Sequence, residues 1–123
     1  MALIYIRKEI VPLKKHDMYG IEVIKAKEKL VLNSSFKAVY IDISSLAMAI
    51  DLKVNQLLEE ISYSPITKEY LAYYRIEQKI IRVIDSQALN VLVRNLISAG
   101  YDFELLKTIR SQIYKTIEQM EKE

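Results

Sequence analysis

The chain has 123 residues, a common length for one domain, and we expect residues 1–123 to form a single domain. Its hydrophobic share of 51% and charged share of 28% are typical of globular proteins. The absence of cysteine excludes disulfides, thiolate metal sites and thiol nucleophiles. The formal net charge of +2 is too small to indicate a nucleic-acid-binding protein by itself.

The sequence also lacks the features of secretion or membrane insertion. The apolar start, residues 1–6, is interrupted by Arg7, Lys8 and Glu9, whereas a secretory signal needs an apolar run of about 7–15 residues after a basic start. The longest apolar stretch, residues 88–99, contains polar residues and falls short of the roughly 20 that cross a bilayer. We therefore expect a cytoplasmic protein with no membrane partner.

The first third of the chain predicts β-structure. Four segments rich in β-branched residues or tyrosine predict strands: residues 2–11, 21–25, 29–32 and 37–41. Pro12 ends the first strand, and the polar run 14–20 predicts a loop that ends in glycine. Residues 33–35, Asn-Ser-Ser, have turn chemistry, so we expect the last two strands to form a hairpin.

Basic side chains are concentrated in this β-rich third. Residues 1–40 contain eight Lys or Arg against four Asp or Glu, and the remaining residues contain ten against twelve. Lys25, Lys27 and Lys29 are therefore candidate contacts to DNA phosphates or to a protein partner. The alternative is that these lysines form a solvated face or edge that discourages strand aggregation.

From residue 42 the apolar pattern changes to helical spacing. Asp42 or Ser44 can cap a short helix, which is interrupted at residues 51–52. Apolar residues at positions 54, 57, 58 and 61 predict a second helix. That helix ends before Pro65, because the residue that precedes a proline avoids the α region.

Two short helices separated by a break have the outline of a helix-turn-helix, in which the second helix enters the DNA major groove. Lys53, Asn55 and Gln56 are the candidate DNA or partner contacts there, since Asn and Gln can read adenine edges. Glu59 and Glu60 repel phosphates, and the turn lacks the usual glycine. These two features favour the alternative, a purely structural helix pair.

The last half of the chain predicts a hairpin and two helices. Residues 70–76 and 79–84 predict strands, although the first segment is also compatible with a short helix. A buried helix is expected over residues 87–99, with Gly100 after its end. Asp102 is expected to cap the last helix. Strands followed by helices in separate blocks predict an α+β fold: N-terminal strands and hairpin, short helix pair, second hairpin and two C-terminal helices.

Tyrosines gather in the first strand of the second hairpin. Tyr70, Tyr73 and Tyr74 precede Arg75, and aromatic residues beside arginine can anchor a protein interface. The alternative is that these tyrosines occupy half-buried strand positions with solvated hydroxyl groups.

An apolar stripe runs along the last helix. Its members recur at steps of three or four residues and include Ile113 and Ile117, with Leu106, Ile109 and Met120. The stripe predicts a homodimer through this helix, or else packing against the chain's own core.

The sequence offers little for catalysis. His16 is the single histidine, and Asp17 is its only acidic neighbour, so we expect an exposed loop histidine and no metal site. With two glycines, the chain has no glycine-rich loop for phosphates or an oxyanion. We expect a protein that is not an enzyme and binds no cofactor.

Residues 37–66, KAVYIDISSLAMAIDLKVNQLLEEISYSPI, resemble the phage antirepressor N-terminal domain family, which is related in role to the Bro-N domains of viral regulators. Residues 39–41 match its strand, and residues 49–52 stand where leucine-glycine-isoleucine-aspartate is expected. Gln56-Leu57 and the span from Ile61 to Pro65 match the later points, and the resemblance extends over residues 20–118. It implies a phage- or prophage-type transcriptional regulator that binds a repressor protein, DNA, or both.

Overall fold

The strands and helices of the chain follow the predicted blocks. The computed structural model describes residues 2–5, 13–16, 18–29, 35–76 and 79–122. Within these ranges the strands are β1 (Ala2–Tyr5), β2 (Leu13–His16), β3 (Glu22–Lys29), β4 (Ser35–Asp42), β5 (Leu71–Ile76) and β6 (Lys79–Asp85). The helices are α1 (Ile43–Ala49), α2 (Val54–Tyr63), α3 (Pro65–Glu69), α4 (Leu89–Ser98) and α5 (Phe103–Glu121), with a 3-10 turn at Ser86–Ala88. The predicted α+β class is confirmed.

All six described strands join one sheet in the order β1-β5-β6-β4-β3-β2. Neighbouring strands are antiparallel except for β1 and β5, which are parallel. Strand β6 pairs with both β5 and β4, so the second hairpin continues the sheet that the N-terminal strands begin. The two hairpins predicted from sequence are thus two halves of one sheet.

One face of the sheet forms the main core with the helices. Side chains alternate between the two faces of a strand, and the set on the helix-covered face includes Val23, Ile41, Leu71 and Ile84. The helices that pack against this set bury residues at helical spacing: Leu46 and Ala47 from α1, Leu57 and Ile61 from α2, Leu92 and Leu96 from α4, Leu106, Ile109 and Ile113 from α5. Helix α5 lies over β2 and β3, and α1 lies over β4 and β6.

The alternate strand residues form a second, smaller cluster on the opposite face. It contains Ile24, Tyr40, Ala72 and Val83, which are all at most 5% exposed. No helix among the described residues contributes to this cluster. The opposite face therefore carries a separate buried layer.

A short polar network fixes the point where the sheet changes into helix α1. The Asp42 side chain accepts a hydrogen bond from the Ser45 backbone N–H at 2.9 Å, which satisfies a donor in the first turn. The Ser45 hydroxyl donates to the Asp42 carbonyl oxygen at 3.0 Å and accepts from the Glu22 N–H at 2.9 Å. This network ties the start of β3 to the start of α1, and it confirms Asp42 as the capping residue.

Helices α1 and α4 each end in a turn with the same pattern of backbone hydrogen bonds. After α4, Gly100 N–H donates to the Ile97 carbonyl and Tyr101 N–H donates to the Leu96 carbonyl, and Gly100 adopts a φ of 97°. After α1, Asp51 and Leu52 make the equivalent bonds to Met48 and Ala47. Asp51 has a φ of 58°, so an aspartate occupies the left-handed position that glycine usually takes.

Two local expectations were wrong, and helix α3 was not predicted. Residues 14–16 belong to strand β2 and not to a loop. Their polar side chains did not predict a strand, and the strand forms because the backbone pairs with β3. Residues 22–29 form one strand instead of two, since its register with β4 continues through residues 26–28. Pro65 ends α2 as expected but also begins α3 at the first helical position, where proline is well suited. The predicted segments at residues 6–11, 30–34 and 77–78 lie outside the described ranges.

Substitutions at Asp51 test the left-handed turn between α1 and α2. Asp51→Gly should raise the free energy of unfolding by about 0.5 kcal/mol, because glycine has no Cβ to strain at positive φ. Asp51→Val should lower it by about 1 kcal/mol or more, since a β-branched residue is disfavoured there. Urea denaturation measures both. Equal stabilities for the two variants would contradict the turn geometry.

Candidate functional site

The three lysines of β3 that were predicted to contact DNA or a partner do not all have described side chains. The Lys25 ammonium group donates to the Met120 carbonyl oxygen at 2.7 Å, in the last turn of α5. A cation at that end of a helix bonds an otherwise unpaired carbonyl and complements the helix dipole. The DNA or partner contact predicted for Lys25 stays a prediction, and this hydrogen bond shows that the Lys25 ammonium group also has a partner within the fold. Lys27 and Lys29 lie on β3, and their side chains are outside the described part of the chain.

The predicted contacts of the second helix do lie together. Lys53, Asn55 and Gln56 are all exposed at the start of α2. The Gln56 side chain accepts from the Lys53 N–H at 3.1 Å, so part of its hydrogen-bonding capacity stabilises the helix start. Lys53 and Asn55 are the two side chains of this group that face solvent without a described polar partner.

The tyrosine cluster is not a continuous exposed surface. Tyr70 is half-buried against the main core, and Tyr73 is half-buried on β5 opposite Arg82. The side chains of Tyr74 and Arg75 lie outside the described part. The two described tyrosines therefore follow the alternative interpretation, in which tyrosine fills half-buried positions near a sheet.

The C-terminal stripe faces the chain's own core. Ile113 is 0% exposed, as an interior member of the main cluster. The dimer interpretation is corrected at Ile113, because a partner cannot reach a side chain that its own fold covers. Ile117 is only half-buried and lines a 440 Å³ depression together with Tyr114, Glu118 and Glu121. Ile117 remains a candidate contact.

A larger open groove lies between the C-terminal ends of α2 and α4. Its volume is about 570 Å³, and its lining residues are Glu60, Tyr63, Ser64, Asn95, Ser98 and Ala99. Tyr63 is 90% exposed at the groove wall, and Ile66, the second residue of α3, is 55% exposed. Two large apolar side chains thus stand in solvent at the corner where α2 meets α3. We call the groove and this corner the α2–α4 surface.

Hydrogen bonds at the ends of α2 and α4 fix the two sides of the groove. The buried Thr67 hydroxyl donates to the Ile61 carbonyl at 2.6 Å, which fixes α3 against the last turn of α2. On the other side, the turn at Gly100 ends α4 and directs the chain back toward α2. The residue that follows, Tyr101, donates from its hydroxyl to Glu60 Oε1 at 3.4 Å. This long hydrogen bond joins the two sides of the groove.

The groove has a negative electrostatic character. Partial burial and the carboxylates of Glu60 and Glu59 raise the pKa of the Tyr101 hydroxyl above its ordinary value. The C-terminal end of the ten-residue helix α4 adds the negative end of its dipole, whereas the end of α2 is followed directly by the start of α3 at Ser64. Among the described residues the ion pairs involve Glu22 and not Glu60.

A third depression lies across the sheet, with lining residues on β2, β3, β4 and β6. It measures about 380 Å³, and Lys14, Glu22 and Asp42 contribute to its lining. Glu22 pairs with Lys14 and with His16, each at 3.4 Å, so His16 stands on an edge strand beside a carboxylate. No group of three or more His, Cys, Asp or Glu residues in the described ranges is arranged to hold a metal ion.

The comparisons with known proteins add no assignment. Comparison of the chain with protein-family models, curated proteins and solved structures finds no match. None of the helices in the described part combines the length and the apolar character that a bilayer crossing needs. The candidate site therefore depends on geometry and sequence pattern alone.

The residues of the α2–α4 surface were not singled out by the sequence interpretation, which named Glu60 only as an acidic residue that repels phosphates. One signal was available. Tyr63 lies off the apolar stripe of positions 54, 57, 58 and 61, so a helical projection places it on the solvent side. The approach of Asn95 and Tyr101 to Glu60 depends on tertiary packing and has no local signal.

The burial of Ile113 predicts a large stability effect. Ile113→Ala should lower the free energy of unfolding by about 2–5 kcal/mol, as for other fully buried aliphatic residues. The exposed neighbour Lys115 is the control, and Lys115→Ala should change stability by less than about 0.5 kcal/mol. A melting temperature that rises with protein concentration and loses this dependence in Ile113→Ala would instead indicate an intermolecular stripe.

The negative character of the groove predicts the titration of Tyr101. In Glu60→Gln the pKa of Tyr101 should fall toward its ordinary value, because the nearest carboxylate is removed. Because its pKa is raised in the folded state, Tyr101 favours folding below the ordinary tyrosine pKa of about 10, and this contribution is lost as the pH rises through the folded-state value. NMR titration of the tyrosine ring carbons measures the shift. An unchanged Tyr101 titration in Glu60→Gln would contradict the described contact.

Proposed function

We propose that this protein is a cytoplasmic, non-catalytic transcriptional regulator of the phage antirepressor kind, which acts by binding a repressor protein. The exposed corner between α2 and α3 favours a protein partner. At this corner Tyr63 and Ile66 expose 90% and 55% of their surfaces. Large exposed apolar side chains beside a groove are typical of protein-binding sites. The resemblance of residues 37–66 to the antirepressor family supplies the regulatory role.

The charges of the second helix favour a protein partner over DNA. Lys53 is the single cation in the stretch from Asp51 to Glu60, which also contains the acidic Glu59. DNA affinity depends mainly on neutralising phosphates with Lys and Arg. A helix with more acidic than basic residues is poorly suited to the major groove, whereas it can present its acidic residues to a basic protein surface.

DNA binding is the second candidate, and one observation favours it. Lys53, Asn55 and Gln56 are exposed together at the start of α2, where a recognition helix contacts base edges. Helices α1 and α2 are joined by a left-handed turn at Asp51, so a tight connection exists without a glycine. A non-regulatory homo-oligomer is the third candidate, for which the depression beside Ile117 and Tyr114 offers a contact surface.

Binding measurements at two salt concentrations separate the first two candidates. The chain should bind at least one member of a panel of purified phage repressors, with affinity that changes little between about 50 and 200 mM salt. It should show no tight binding to random duplex DNA. Tight DNA binding that falls by about 10³-fold or more over this range would indicate many phosphate contacts and contradict the proposal.

The variant Tyr63→Ala/Ile66→Ala tests the surface itself. Removal of both exposed side chains should weaken repressor binding by about tenfold or more, as expected for central interface residues. Met48→Ala is the matched control, since Met48 is 82% exposed on α1 and lies outside the α2–α4 surface. Equal affinity in the wild type and the double variant would exclude this corner as the binding site.

A further inference from the structure

We propose that the groove between the C-terminal ends of α2 and α4 receives an arginine side chain of the protein partner. This inference deepens the proposed function and rests on it for the identity of the partner, but the groove chemistry can be tested separately. The occupant follows from charge complementarity. The groove combines a carboxylate, an exposed aromatic ring and the C-terminal end of α4, and each of these favours a cation.

The carboxylate is Glu60, which is half-buried in the groove lining and is held by Tyr101 at 3.4 Å. A carboxylate has more acceptor capacity than one tyrosine hydroxyl uses, so Glu60 can still accept from an incoming donor. No Lys or Arg nitrogen in the described ranges lies within ion-pair distance of it. A partner cation would therefore provide the missing counter-charge.

The aromatic ring is Tyr63, one turn along α2 from Glu60 and 90% exposed. Residues three apart on a helix are neighbours on one face, so the ring and the carboxylate border the same space. A planar guanidinium group can stack on a tyrosine ring while it donates hydrogen bonds to a carboxylate. An ammonium group lacks this planar geometry, and the pair Glu60–Tyr63 therefore favours arginine over lysine.

The backbone around the groove also favours a cation. The lining residues Ser98 and Ala99 lie at the C-terminal end of α4, where the helix dipole is negative. Ser64 both ends α2 and caps α3, so the dipoles of these two helices oppose each other at that point. Beside the groove, burial and the carboxylates of Glu60 and Glu59 raise the pKa of Tyr101. The nearest cation along α4, Arg94, precedes Ser98 by about one turn and does not line the groove.

The test uses the full chain, labelled with ¹⁵N, and small amides as probes. Acetyl-arginine amide should give saturable shifts centred on the backbone amides of residues 60–64 and 95–99. Acetyl-citrulline amide, which has the same shape without the charge, should give none. Acetyl-lysine amide should bind several-fold more weakly than the arginine probe. Citrulline binding equal to that of arginine would overturn the charge assignment, and equal lysine binding would overturn the assignment to arginine.

Variants locate the site. Glu60→Gln should weaken arginine binding about tenfold, the effect of losing one charge-assisted hydrogen bond. Glu104→Gln is the control, because it removes one exposed carboxylate from the first turn of α5 that does not line the groove. It should leave binding unchanged. Equal losses in both variants, or shifts that do not centre on the groove, would overturn the inference.

These experiments distinguish a failure of the groove assignment from a failure of the proposed function. Arginine binding at the groove without binding to any repressor would contradict the antirepressor role and support the groove assignment. Repressor binding that survives Glu60→Gln unchanged would support the role and overturn the groove assignment.

Discussion

The alternation of side chains along the strands is the constraint on which the rest of the structure depends. It places Val23, Ile41, Leu71 and Ile84 on one face of the sheet, and these residues require a cover of apolar helix surface. Helices α1, α2, α4 and α5 supply that cover with their stripes. As a consequence the stripe of α5 is used within the chain, and the proposed partner surface is formed where helices α2 and α4 end.

The α2–α4 surface follows from the way in which these helices end. Pro65 stops α2 and begins α3, which leaves Tyr63 and Ile66 in solvent at the corner. Gly100 stops α4 and returns the chain so that Tyr101 reaches Glu60. Because α4 finishes at the groove, the negative end of its dipole and the Glu60 carboxylate have the same sign. The proposed partner is accordingly a protein with a basic, arginine-bearing contact surface and not a nucleic acid.

Much of the fold was predictable from local chemistry, whereas most of the candidate site was not. Asp42 and Asp102 cap helices as their residue types predict, and Gly100 ends α4 with the left-handed turn. Strand β2 was missed because its residues are polar and become a strand only through pairing with β3. Lys25 and Ile113 were assigned to partners because the sequence does not show that α5 packs over β3. The groove joins residues of the α2 end and of α4 that are 31 or more positions apart, and only the packed helices bring them together.

The central claim is that the apolar stripe of α5 belongs to the core of its own chain and leaves the helix ends as the binding surface. Isotope-filtered NMR on an equal mixture of ¹³C-labelled and unlabelled protein tests this claim most directly. We expect NOEs between methyl groups of α5 and β3 in fully labelled protein, and none of these NOEs in the filtered experiment that detects contacts between chains. Cross-peaks from the Ile113 methyl groups in the filtered experiment would contradict the account, because they would place the stripe at an interface between two copies.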